Sequence, residues 1–244
     1  MNEPDRLAEL AQRTAARGLT TYTRFLDLND QKNARIAAAK AGIACCLFGG
    51  MPDNERCVAA FYDVEPPEEA EYPLVCLRFV PRSVRFARPC THRDVLGTLM
   101  SLGLEREQFG DIILRENEIY LFCLDKTAKL VLDGMTQIGG TDVTGSISDA
   151  PDGPARKTQE VIVQVSSPRA DAVIAHLFHL SRDDTQALFP RGLVLLDDAP
   201  CTKCEKLLTE GTVISVRGHG RARYKGTRSV SKKGKLNVAI DLYT

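Results

Sequence analysis

Two proline-rich breaks, Pro66-Pro67 and Asp149-Ala150-Pro151-Asp152-Gly153-Pro154, bracket a stretch whose apolar pattern keeps switching between strand and helix periods. Leu74–Val80 reads as a strand. Thr91 opens a helix to about Leu102, with Thr91 as N-cap and Asp94 placed for a capping box. Asp111–Leu114 and Ile119–Leu124 predict a hairpin around Glu116-Asn117. Asp125–Met135 reads as a second helix and Asp142–Ile147 as a last strand. The resulting order, βαββαβ, is a split-βαβ layout and leaves few topologies open.

The same punctuation divides the 244 residues into three expected domains, 1–71, 72–150 and 158–244. In the first, helices over 5–17 and about 30–41 stop at Gly18 and Gly42. A hairpin of short strands, Ile43–Phe48 and Cys57–Tyr62, follows around a turn-rich link. The middle layout is that of ferredoxin-like and RRM domains, and the whole chain reads as α+β. A working RRM carries an RNP1 pattern with aromatic stacking positions, which is absent here. Tyr120 and Phe122 alternate to one face and are expected in packing rather than on an open platform.

Charge matters more by place than by total. Lys+Arg and Asp+Glu are 32 each, yet residues 166–244 hold 13 basic against 8 acidic, and 201–235 hold 10 against 2. Such asymmetry is a footprint of nucleic-acid binding. A second basic run, Arg78, Arg82, Arg85, Arg88 and Arg93, meets no acid before Asp94. It is a second possible RNA surface, or simply a strand-to-helix loop. No apolar run approaches the roughly 20 residues of a membrane helix. Met1–Arg6 lacks the basic start and apolar core of a secretory signal, so a cytoplasmic protein without membrane contact is expected. Reduced, mostly buried thiols are then expected at the eight cysteines. Cys201-Thr202-Lys203-Cys204 is a lone CxxC, and structural zinc needs four ligands. Cys90, His92 and Asp94 fit a helix cap better than a nucleophile with its base. No catalytic residue, metal or cofactor is expected.

The last domain combines a strand at Glu160–Val165 with two short helices. The first has an apolar stripe of Val173, Ile174, Leu177 and Phe178, and Ser181 caps the second. Strands from Val194 and over Val213–Val216 follow, with a turn at Asp197-Asp198. Arg169 and Arg182 fall near helix N-termini, where backbone N–H groups also attract anions. Arg221, Arg223 and Lys225 alternate, so on a strand they share a face. Lys232, Lys233 and Lys235 mark a basic hairpin tip. With Lys203, Arg217, His219 and Arg228 they make up the expected RNA-contacting set. Few aromatic or amide readers accompany them, which favours phosphates of structured RNA over a base-by-base code.

This segment resembles the S4 RNA-binding domain. Arg169 with Asp171, Ser181-Arg182, Gly192 with Val194, and Gly211 with Ile214, Val216 and Arg217 match its pattern in order. Ala170, Leu196, Thr212 and Asp197-Asp198 depart from it, and the acidic turn argues against phosphate contact there. The resemblance widens beyond this domain. His92-Arg93-Asp94-Val95-Leu96-Gly97, Leu102-Gly103-Leu104-Glu105-Arg106 and Gly110-Asp111-Ile112-Ile113 resemble the middle domain of YlmH-like proteins. Phe25-Leu26-Asp27 and Leu47-Phe48-Gly49-Gly50 resemble their N-terminal domain, and Val216-Arg217-Gly218-His219-Gly220-Arg221 their ending. The resemblance implies a non-enzymatic bacterial RNA-binding protein; a monomer off the ribosome is expected. It implies rRNA and tRNA on stalled large ribosomal subunits as partners, in ribosome-associated quality control, with a further link to cell division. Two other readings stay open at this point: an S4-containing RNA-modifying enzyme and a protein-interaction scaffold.

Overall fold

The break at 149–154 leads into a boundary between compact units, whereas Pro66-Pro67 lies inside the first of them. A computed structural model describes residues 2–243 and divides them into two compact units, 1–155 and 156–244.

In the first unit, α1 (Glu3–Arg17) is capped by the Asn2 side chain, which accepts from the Asp5 N–H. It is followed by β1 (Thr21–Leu26), α2 (Leu28–Ala41), β2 (Ala44–Phe48) and β3 (Cys57–Tyr62). The expected β2–β3 hairpin is present, but β1 pairs with the far side of β3, so the sheet runs β1-β3-β2. The helices-plus-hairpin expectation thus misses a strand. Thr21–Leu26 places a charged Arg24 between Thr23 and Phe25 and offers only a short alternation to read.

The βαββαβ stretch comprises β4 (Leu74–Pro81), α3 (His92–Ser101), β5 (Phe109–Arg115), β6 (Glu118–Leu124), α4 (Asp125–Gly134), the two-residue β7 (Gln137–Ile138) and β8 (Thr141–Ser148). Its sheet runs β5-β6-β4-β8-β7. Thr91 and Asp94 close the capping box of α3 reciprocally, with the Thr91 N–H donating to Asp94 at 2.8 Å.

The alternation of side chains along β3 and β4 explains how these layers stack. Ala59 and Phe61 of β3 face Leu7, Ala11, Ala34 and Ala38 of α1 and α2. Val58 and Ala60 face the other way, into a core shared with Cys76, Ile113, Phe122 and Leu124 of the second sheet. Leu77 and Phe79 of β4 point to the remaining face, against Val95 and Leu99 of α3 and Val131 of α4. Close approaches in the shared core need glycine at two positions. A Cβ on Gly50 would lie 2.2 Å from the Phe122 ring, and one on Gly110 2.6 Å from Phe25.

The second unit comprises β9 (Thr158–Val165), α5 (Ala170–Leu177), α6 (Arg182–Leu188), β10 (Val194–Leu196), β11 (Ala199–Pro200), β12 (Val213–Val216), β13 (Gly220–Val230) and β14 (Leu236–Tyr243). The sheet runs β11-β10-β12-β13-β14-β9. Period-two alternation sends Val194, Leu196, Ile214, Val216, Ala222, Tyr224, Val238 and Ile240 to one face. There they pack on Val173, Ile174 and Leu177 of α5 and Leu188 of α6. Asp197 and Asp198 both take positive φ (50° and 61°), the geometry of a tight hairpin turn between β10 and β11.

Candidate nucleic-acid interface

The chain leaving β9 passes through Ser166-Ser167-Pro168 to Arg169, the residue that precedes α5. The Arg169 guanidinium does not point freely outward. It grips Asp171 with two bonds, Nε to Oδ1 at 3.0 Å and Nη2 to Oδ2 at 2.7 Å, and reaches Glu205 at 3.2 Å. Asp171 is buried and also accepts from the Ala172 N–H at 2.8 Å. Burial alone would raise its pKa, but Arg169 and the backbone bond outweigh burial and hold the carboxyl below its ordinary value. The pair therefore contributes full stability above the unfolded Asp value, about pH 4, and loses it as pH falls through the lower folded value. Asp171→Asn is expected to cost about 1–3 kcal/mol at neutral pH and to flatten the acid limb of the unfolding curve below about pH 4. Urea unfolding across pH checks this; an unchanged acid limb contradicts it.

Beside this pair lies a cleft of about 330 Å³, lined by Ser166, Ser167, Arg169, Asp171, His176 and Arg182 among others. Arg182 is exposed at the first position of α6, whose cap is Ser181, with Oγ accepting from the Asp184 N–H at 3.1 Å. His176 is an exposed member of this lining that sequence reasoning missed. As the next-to-last residue of α5, it carries no signal beyond being a histidine.

On β13, Arg221 and Arg223 alternate with the buried Ala222 and Tyr224, so they face away from the helices, as their spacing predicts. Acids meet this row. Arg221 pairs with Asp198 at 2.9 Å, Lys225 with Asp241 at 3.6 Å and Arg228 with Glu160 at 3.2 Å. Arg223 Nε donates to the Tyr243 hydroxyl at 3.4 Å. The acidic turn thus serves as partner to a strand arginine and, through Asp197 accepting from the Val213 N–H at 2.7 Å, as a brace on β12.

Six cations of the expected set stand apart from this row. Arg182, Lys203, Arg217, Lys232, Lys233 and Lys235 are exposed and form no ion pair among the described residues. The three lysines occupy the turn between β13 and β14, and Arg217 with His219 the turn between β12 and β13. His219 is exposed, its ring 6.0 Å from that of Phe178.

In the first unit the arginine run divides. Arg78, on β4, forks onto Glu118 of β6, which also accepts from the Tyr120 hydroxyl at 2.6 Å. Arg82 donates to the Val143 carbonyl at 3.3 Å. Arg85 and Arg88 are exposed on the segment between β4 and α3, and Arg93 is exposed on α3 itself. Phe122 is 1% exposed beneath the first sheet, so the face that an RRM would offer to bases is covered by packing, as its neighbours predict.

Cys201 is buried in the second core and Cys204 is half-buried. Burial pushes the thiols of Cys57, Cys76 and Cys123 up to about 12. Among the described residues no group of three or more His, Cys, Asp or Glu is placed to hold a metal, and no helix is long and apolar enough to cross a membrane.

Comparison with known proteins adds three findings. Residues 67–149 match a family model described as "Putative RNA-binding domain in YlmH". The chain is 31% identical over 225 residues to the ribosome-associated protein quality control protein P2 of Bacillus subtilis, covering 90% of this chain and 86% of that one. Its fold is similar to that of the cell division protein ylmH from Streptococcus pneumoniae, with a TM-score of 0.51 at 24% identity, over 60% of this chain and 88% of that structure.

Proposed function

The chain belongs to the YlmH-like family, and from that membership we propose that it is a non-catalytic RNA-binding protein of ribosome-associated quality control. Its partners are rRNA and tRNA on stalled large subunits, which places it in the cytoplasm. The observation that carries the reading is the set of exposed cations without ion pairs in residues 156–244: Arg182, Arg217, Lys203 and the 232–235 tip. Cations tied to acids add little to phosphate binding, whereas unpaired ones release counterions when they neutralise a phosphate. We read residues 158–244 as an S4-type module that grips structured RNA, with domain boundaries at 1–71, 72–150 and 158–244. The order β9-α5-α6-β10 and the residues matching the S4 pattern support this.

The matched segment 67–149 supplies the second surface. Its sheet face is buried, so contact falls to Arg82, Arg85, Arg88 and Arg93 on the segment after β4 and the start of α3, with Arg78 held back by Glu118. Two surfaces on one chain bind jointly at high effective concentration, so each can be weak alone. Reversing Arg85 and Arg88 to Glu is expected to lower sedimentation with large subunits by about tenfold or more. The affinity for a short RNA hairpin, bound by the second unit alone, stays nearly unchanged. Equal losses in both assays would contradict a second RNA surface. In either assay affinity falls steeply with salt; salt-insensitive retention would favour a protein-interaction scaffold.

A further inference from the structure

The turn between β12 and β13 carries an aromatic contact that charge alone does not explain. Arg217-Gly218-His219 forms this turn, pinned by the Arg217 N–H donating to the Leu193 carbonyl at 2.9 Å and the His219 N–H to the Val216 carbonyl at 3.0 Å. The His219 ring lies 6.0 Å from Phe178 at an interplanar angle of 45°. Phe178 caps the C-terminus of α5 and packs against the core behind it. The backbone is shaped for this approach: Gly220 has φ 146°, and a Cβ there would come within 3.1 Å of the Phe178 ring. His219 itself is exposed, next to the exposed Arg217.

A phosphate contact needs a cation but no supporting ring. An exposed aromatic ring, backed by a second ring and flanked by an unpaired guanidinium, is the chemistry that receives an unstacked base and its phosphate. We propose that His219 is a stacking platform for an unpaired nucleobase of the bound RNA. It is a base contact within a surface that otherwise meets phosphates. The inference rests on the RNA-binding reading above and deepens it.

The test uses the full chain and a short RNA stem-loop carrying 2-aminopurine at an unpaired loop position, with the fluorophore in the stem as control. Wild type is expected to quench the loop probe and leave the stem probe unchanged. His219→Ala is expected to abolish the quenching and weaken binding roughly five- to hundredfold, the range of one lost base stack. Its salt slope stays that of wild type, because no phosphate contact is lost. His219→Phe is expected to retain both quenching and affinity. Binding without loop quenching overturns the inference while leaving the RNA-binding reading intact. So does a His219→Phe loss equal to that of His219→Ala, or an Ala variant whose salt slope drops by about one, which marks a phosphate-contacting imidazolium. If wild type does not bind the stem-loop, the RNA-binding reading falls and the inference with it.

Discussion

Asp111→Ala is expected to destabilise the first unit by about 2–4 kcal/mol, enough to lower its Tm by roughly 10 °C. Asp111 is 3% exposed at the start of β5, and its carboxylate accepts from the backbone N–H groups of Glu55 at 2.8 Å and Arg56 at 3.2 Å. Arg56 continues the connection by donating to the carbonyls of Phe25 at 3.1 Å and Arg106 at 3.2 Å. Arg106 donates in turn to the carbonyls of Phe109 at 2.9 Å and Gly110 at 3.1 Å. The network ties the loop before β3 to β5, so it holds the two sheets of the unit in register over their shared core. Alanine strands one buried and one half-buried N–H donor whose desolvation is no longer offset. Asn keeps the volume and one acceptor, so its loss is about half as large. Thermal and urea unfolding give the comparison; an Asp111→Ala loss under about 1 kcal/mol would show the sheets held by apolar packing alone.

A second large effect is expected at the β13–β14 turn. Replacing Lys232, Lys233 and Lys235 together by alanine should lower affinity for structured RNA on the order of a hundredfold at low salt and reduce the salt slope by about two to three. The turn itself survives. The Ser231 N–H donates to the Lys235 carbonyl at 2.7 Å, the Gly234 N–H to the Ser231 carbonyl at 2.9 Å, and the Lys235 N–H to Ser231 Oγ at 3.0 Å. No lysine side chain takes part in that scaffold. Removing Arg221, Lys225 and Arg228 should cost much less affinity, because each already has an acidic partner. Equal losses from the two triple variants would mean that RNA displaces those acids and reads the strand face after all.

The contrast between these two sets marks where sequence reading runs out. Local chemistry was legible: the Thr91–Asp94 box, the Ser181 cap, the stops at Gly18 and Gly42 and the tip at 231–235 are set by residues within a few positions. Partners far apart in the chain were not. Arg78 meets Glu118, Arg228 meets Glu160, and Asp111 meets Glu55 and Arg56 only once the sheets have formed. A run counted as five arginines therefore includes Arg78, bound to a glutamate, and a strand face counted as basic is largely balanced. Arg169 is the sharpest case. Its position before α5 was visible, but its grip on the buried Asp171 was not, and that grip makes it a framework residue of the cleft. The pairing of Phe178 with His219 spans a helix end and a distant turn, and only the folded sheet joins them.

The central claim concerns what the chain holds on to in the cell. Sucrose-gradient sedimentation of the full chain with purified large subunits, small subunits and intact ribosomes tests it most directly. Co-sedimentation with large subunits in preference to the other two is expected, lost on raising the salt and lost in the lysine-tip variant. Sedimentation with small subunits alone would contradict the quality-control role while leaving RNA binding standing. No sedimentation with any ribosomal particle at low salt would contradict the account as a whole.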